Sequence, residues 1–402
     1  MPGFSYLLAD DLSGALEAGA AFRARGWSVT LSLAGPAQAP AAAGLEVVSS
    51  ETRNAPAAAA GPAVRRLLAE RRAAGGRLRF KKIDSTLRGP VGAELRALVD
   101  ELAPPLVVVC PATPAVGRTV RAGVLCVRGV PVAETEFRRD PGWPSTESRL
   151  AVRIREAGAA GVAELPLAAL RAGRAGEAAR TGGVLASDAE TDADLRQLVE
   201  SVLAVQPAAV FVGAGGLAHA LAAVLPPAQA AASPAWPRPA TTLFVSGSMN
   251  DRSRRQLEKL RDECGVPLHE VDASADRRAQ AVADIAATLA VSGAAAVALT
   301  RSCGPVDPAS PVAWLREVVT ALAARGSPPE LLVATGGETA QALCASLDIR
   351  RLDLLQEAET GVVLTAATST RPSNPKWVVI KPGGFGSDSV WANLRRSTQV
   401  KS

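Results

Sequence analysis

Nine consecutive residues, KKIDSTLRG from Lys81 to Gly89, hold three cations, one carboxylate and two hydroxyls. They close an apolar run, LRFKKI (78–83), that reads as a strand. PVGAELRALVDEL follows, with a spacing that predicts a helix over 90–102. Asp84, Ser85 or Thr86 would serve as an ordinary helix cap. In an extended segment, however, Lys82 and Asp84 share one face, and Ser85 and Arg88 complete a compact group of donors with one acceptor. Arginine grips a planar carboxylate with two parallel bonds, and lysine supplies a point charge. Such a set suits a small polyhydroxylated acid, and Gly89 lets the backbone come close.

A second junction has the same build. The strand-like SYLLA (5–9) ends in Asp10-Asp11 and runs through Leu12-Ser13-Gly14 into a helix over 12–25. One aspartate is explained as a cap. Two adjacent ones repel, and keeping both at a strand tip points to a hydroxylated ligand or a cation that satisfies them. PATPAVGRT (111–119) follows the strand LVVVC, and Arg118 is the charge in it. That loop reads equally well as a plain rigid turn.

Later in the chain the polar side chains give way to glycine. SGSMN (246–250), with Ser246 and Ser248, follows a strand and opens a helix. TGGET (335–339), holding Gly336, Gly337, Glu338 and Thr339, does the same, and PGGFGS (382–387), with Gly383 and Gly384, follows the last strand. None is a Walker loop. Main-chain N–H groups at helix N-termini suit anionic phosphates. Glu338 is stabilised by the dipole of its helix, or stands near a phosphate-bound Mg2+.

Strand-like and helix-like runs alternate through both halves, which predicts two α/β domains with largely parallel sheets. Sites in such sheets form beyond the carboxyl ends of the strands. The expected first domain spans 1–225, a Pro/Ala-rich linker spans 226–240, and a second domain spans 241–402. RTVRAGVLCVRGVPVAETEF (118–137) reads as a β-hairpin excursion. The second half is expected to end in one pair of strands, TGVVLT and KWVVIK.

Composition narrows the function. The chain has 402 residues, 48% apolar and 3% aromatic, with a net charge of +5. So few aromatics and so mild a charge argue against nucleic acid and fit an anionic small substrate. Five scattered cysteines and two distant histidines offer no zinc or disulfide pattern. Neither a signal peptide nor a membrane-length apolar run is evident, so a soluble cytoplasmic protein is expected. No G-x-G-x-x-G follows the first strand, which disfavours a dinucleotide oxidoreductase.

The ordered blocks ADDLSGALEAG, KKIDSTLRGPVGAEL, PATPAVGRTVRAGVLCVRGVPVAET, VGAGGLAHAL, VSGSMN, ATGGETA and KPGGFG resemble the four-carbon acid sugar kinases, from about residue 5 to about 390. The resemblance implies an N-terminal acid-sugar domain and a C-terminal nucleotide domain. The active site would lie in the cleft between them, and ATP with Mg2+ would phosphorylate the C4 hydroxyl of threonate, erythronate or 3-oxo-tetronate. It implies substrate contacts from Asp10, Asp11, Lys82, Asp84, Ser85, Arg88 and Arg118, with Asp11 or Asp10 as the base. Nucleotide contacts fall on Ser246, Ser248, Gly336, Gly337, Glu338, Thr339, Gly383 and Gly384, and a homodimer is expected. Ser13 stands where the family usually has threonine, Pro382 stands where it has serine, and EAETGVVLT lacks the family's proline turn. A kinase of another short hydroxy acid or polyol, or a silent binder of sugar acid or ATP, are the alternatives.

Overall fold

The computed structural model describes residues 4–33, 44–156, 161–227, 230–232, 234–248, 250–271, 278–299, 309–326, 328–369, 371 and 374–399. They form two compact units, one of residues 4–31 and 44–231, the other of residues from 232 onward together with Ser32 and Leu33.

The first unit begins β1 (Phe4–Ala9), α1 (Leu12–Arg23), β2 (Val29–Ser32), β3 (Leu45–Ser49), α2 (Ala57–Ala73), β4 (Gly76–Lys82), α3 (Val91–Leu102) and β5 (Leu106–Cys110). A separate antiparallel sheet of β6 (Arg118–Arg121), β7 (Val124–Val127) and β8 (Val130–Pro131) comes next, where the sequence predicts an excursion. The unit closes with α4 (Leu150–Glu156), β9 (Val162–Leu165), α5 (Leu167–Arg171), α6 (Ala175–Ala179), β10 (Gly183–Ser187), α7 (Asp192–Val205), β11 (Val210–Gly213) and α8 (Gly215–Val224).

Its main sheet has the order β2-β3-β1-β4-β11-β5-β10-β9, and β3, β1, β4, β11, β5, β10 and β9 run parallel. Helices cover both faces, so a strand such as β5 is buried at every position. The chain leaves β1 toward β2 on one side and leaves β4 toward β5 on the other. Helix α1 packs with α8 on one face, and α3 packs with α2 on the opposite face. The loops after β1 and β4 therefore leave adjacent strand tips in opposite directions, the arrangement that marks the site crevice in doubly wound sheets.

The second unit repeats the pattern. It runs β12 (Thr242–Ser246), α9 (Asp251–Cys264), β13 (Leu268–Val271), α10 (Arg278–Ser292), β14 (Ala294–Leu299), α11 (Ala309–Ala324), β15 (Leu331–Thr335) and α12 (Gly337–Ser346). Then come β16 (Ile349–Glu359), β17 (Val362–Ser369), β18 (Trp377–Lys381) and α13 (Val390–Thr398). Strand order is β13-β14-β12-β15-β18-β17-β16, parallel from β13 to β18 and antiparallel beyond. Phe244, Leu260, Val333 and Val379 pack with Trp391 under α9 and α13. Helices α10, α11 and α12 neighbour one another in turn. Here the splayed loops follow β12 and β15.

Strand β16 departs from the expected single pair of final strands. IRRLDLLQEAE is rich in helix formers, yet it runs antiparallel to β17, burying Ile349, Leu352 and Leu354. Pairing to a neighbouring strand overrides local propensity there. Among the described residues no helix is long and apolar enough to cross a membrane.

Candidate functional site

The first crevice is built from the tips of β3, β1 and β4. Asp10 leaves β1 buried, and Asp11 caps α1 by accepting the Gly14 N–H at 2.7 Å. Sequence reasoning left the partner of this acidic pair open, and it is Arg53. After β3 the N–H groups of Thr52 and Arg53 donate to the Asp10 carbonyl at 2.9 and 3.1 Å, which carries Arg53 to the tip of β1. Its guanidinium donates twice to Asp10, at 2.9 and 2.9 Å, and once to Asp11 at 2.6 Å. Burial raises the Asp11 pKa against the lowering pull of Arg53, and Asp10 adds to the rise. The only hint of Arg53 in the sequence is its place, a cation just beyond a strand in SSETRN.

Successive strand residues face opposite ways, so the two lysines of KKIDSTLRG separate. Lys81 is buried against Glu94 of α3 at 2.8 Å, whereas Lys82 pairs with Glu17 of α1 at 3.0 Å. Burial opposes the Lys82 charge, but Glu17, Asp10 and Asp11 outweigh it and its pKa is raised. Strand β4 ends at Lys82, so Asp84 does not continue its face. Asp84 turns inward, accepting from the Thr86 N–H at 2.9 Å, from its hydroxyl at 2.5 Å and from Arg88 at 2.8 and 3.2 Å. Burial alone would raise the Asp84 pKa; the hydrogen bonds of Arg88 and the field of Arg53 hold it far below the usual carboxylate range.

Two non-glycine residues flank the crevice in the left-handed region, Glu51 at φ 52° and Leu87 at φ 61°. Such strain persists only where the surroundings impose it. Arg153 donates to the Leu87 carbonyl at 2.8 Å, and the Ser145 hydroxyl donates to that of Thr86 at 3.2 Å. Gly89, at φ 93°, passes so close to Arg53 that a Cβ would lie 3.1 Å from its carbonyl oxygen. The loop after β4 is thereby packed onto the loop after β3.

The antiparallel excursion delivers Arg118. Buried Asp188 accepts the N–H groups of Ala122, Gly123 and Leu167 at 2.8, 2.9 and 3.0 Å, fixing the β6–β7 turn to the main sheet. The Arg118 and Arg88 guanidiniums then lie 5.5 and 5.7 Å from the centre of the Phe137 ring. Arg88 also reaches Asp140 at 3.5 Å. Ser85 is half-buried on the same loop. All seven substrate residues expected from the sequence thus belong to one unit, and Arg53, Phe137 and Glu17 join them.

In the second unit the three glycine turns converge. Ser246 is in register with Thr335, and Thr335 with Lys381, so β12, β15 and β18 end side by side. A Cβ on Gly247 would land on the Thr339 hydroxyl, which makes glycine necessary at that approach. Gly384 lies against Asn250, whose side chain caps α9. The Ser248 hydroxyl accepts the Asn250 N–H at 3.3 Å. Helix α12 begins at Gly337 without a side-chain cap, and the Gly336 N–H donates to the Lys381 carbonyl at 2.8 Å. Ser246 and Thr339 are buried, whereas Glu338 is exposed. Among the described residues no group of three or more His, Cys, Asp or Glu is arranged to hold a metal.

Comparison with known proteins follows the same division. A family model described as a sugar-binding N-terminal domain matches residues 5–221, and one described as a nucleotide-binding C-terminal domain matches residues 243–390. A D-threonate kinase of Bordetella bronchiseptica is 35% identical over 96% of this chain and 95% of its own. Another, of Cupriavidus necator, is 32% identical over 98% of each. A solved structure described as a putative tRNA synthase from Salmonella typhimurium LT2 superposes with a TM-score of 0.82. It covers 98% of this chain and all of that one; at 24% identity it speaks for the fold alone.

Proposed function

The chain belongs to the four-carbon acid sugar kinase family, and from that membership we propose that it moves the terminal phosphoryl group of ATP to the C4 hydroxyl of D-threonate. The observation that carries this is full-length similarity to D-threonate kinases, with a charged crevice in the first matched domain and glycine turns in the second.

In this reading residues 1–225 hold the acid, 241–402 hold the nucleotide, and 226–240 connect them. The substrate carboxylate takes the place of Asp140 on the outer edge of Arg88 and is shared with Arg118, while Phe137 keeps the two guanidiniums apart. Lys82 and Ser85 hold hydroxyls. Asp84 is a poor base because, against its burial, the hydrogen bonds of Arg88 and the field of Arg53 hold its pKa far below the usual carboxylate range. Asp11, its pKa raised by burial, takes the proton of the accepting hydroxyl, and Asp10 with Arg53 orients it. The N–H groups of the turns at 246–248, 337–339 and 383–384 receive the phosphates, with Gly336, whose N–H is held by the Lys381 carbonyl, opening the turn for them. Glu338 is the carboxylate of these turns that would stand by Mg2+, which would neutralise charge on the nucleotide phosphates when bound. Such transfers depend on positioning and neutralisation of charge.

The test is direct. The full chain, incubated with ATP and Mg2+, is offered D-threonate, D-erythronate, 3-oxo-tetronate and a panel of other short hydroxy acids and polyols, and ADP release is followed. Release with D-threonate above the others is expected. Preference for a non-tetronate acceptor, or no ADP with any of them, refutes the proposal.

A further inference from the structure

Lys381, the last residue of β18, is fully buried, with 0% of its surface exposed. Among the described residues no carboxylate lies within ion-pair distance of its ammonium. The Nζ donates instead to the main-chain carbonyls of Gly383 and, at 3.5 Å, Pro382, and stands 5.4 Å from the centre of the Trp391 ring of α13. The charged group facing it from α9 is another cation, Arg252, itself paired with Asp388 at 3.3 Å. From β15 its neighbour in register is the neutral Thr335. A buried cation balanced by dipoles alone is costly. This one sits directly beneath the turn at 382–387, where the three glycine loops meet.

We infer that Lys381 is the built-in counter-charge of the phosphate site: it holds the carbonyls of Pro382 and Gly383 inward, and its charge is balanced when an anionic phosphate settles on the turn. The inference rests on the reading of the second unit as the nucleotide site. Lys381 is a positioning residue in this role. Burial, with Arg252 adding to it, lowers its pKa to about 8 in the ligand-free protein. A phosphate nearby raises it again, so binding above that pH draws a proton onto the lysine.

Calorimetric titration of the full chain with ATP, in pairs of buffers with different ionisation enthalpies, measures this. Wild type is expected to take up close to one proton per ATP at pH 9, and to bind about twentyfold more weakly at pH 9.5 than at pH 7.5. The isosteric variant Lys381→Met should bind ATP at least about tenfold more weakly at pH 7.5. It should show neither proton uptake nor the pH dependence, and native-state hydrogen exchange of peptides spanning β12, β15 and β18 equal to that of wild type reports that the second unit is folded. ATP binding to wild type without proton uptake overturns the inference, whatever the variant does, and so does uptake that persists in Lys381→Met. Absence of any ATP binding to wild type refutes the nucleotide reading itself, a distinct outcome.

Discussion

Replacing Arg53 with methionine keeps the main-chain bond to Asp10 and removes the cation that Asp10 and Asp11 share. Three charge-assisted hydrogen bonds, at 2.9, 2.9 and 2.6 Å, go with it. The carboxylates left behind are 2% and 22% exposed. Breaking a buried pair from one side costs about 3–5 kcal/mol. Lys82 remains close and Asp11 keeps its Gly14 N–H, so the lower end, about 3 kcal/mol, is expected. The pair limits the damage by taking up a proton. Without the cation the Asp11 carboxyl, whose pKa burial and Asp10 already raise, is pushed up further. With the folded-state pKa above the unfolded one, the folded protein keeps a proton that the unfolded chain loses. Stability of the variant relative to wild type therefore falls as pH rises through the carboxylate range and is level above the raised pKa. The deficit against wild type should be about 3 kcal/mol at pH 8, where the pair is ionised, and clearly smaller at pH 4.5. Native-state hydrogen exchange of peptides spanning β1 and β3 reads the opening free energy of this unit alone. An equal deficit at both pH values would refute the electrostatic account, and no deficit at either would show that Arg53 does not neutralise the pair.

Two further outcomes are expected. Asp11→Asn preserves the helix cap, since asparagine caps as well as aspartate, but should lower kcat by about 10²–10⁴-fold with little change in D-threonate affinity; unchanged turnover would remove Asp11 as the base. Gly247→Ala pushes a methyl onto the Thr339 hydroxyl and should weaken ATP binding by about tenfold or more, roughly 1.4 kcal/mol, while D-threonate binding, measured in parallel by calorimetry, stays as in wild type.

The sequence by itself determined which residue types stand at strand tips: the Asp10-Asp11 pair, the cations of KKIDSTLRG, and the glycine turns after β12, β15 and β18. Each is a local signal, because hydrophobic period marks where a strand ends and a helix begins, and chemistry gathers at that boundary. Strand order is not local. Arg53 meets Asp10 because β3 lies beside β1, and Arg118 nears Arg88 because Asp188 anchors a turn 66 residues away. A lone arginine in SSETRN carries no period or spacing from which that could be read. The same holds for β16, where pairing overrode helix-forming composition, and for Lys381, whose burial with no carboxylate partner among the described residues arises only once α9 and α13 close over β18. Which charges face one another, and which are removed from water, is settled by packing between distant segments.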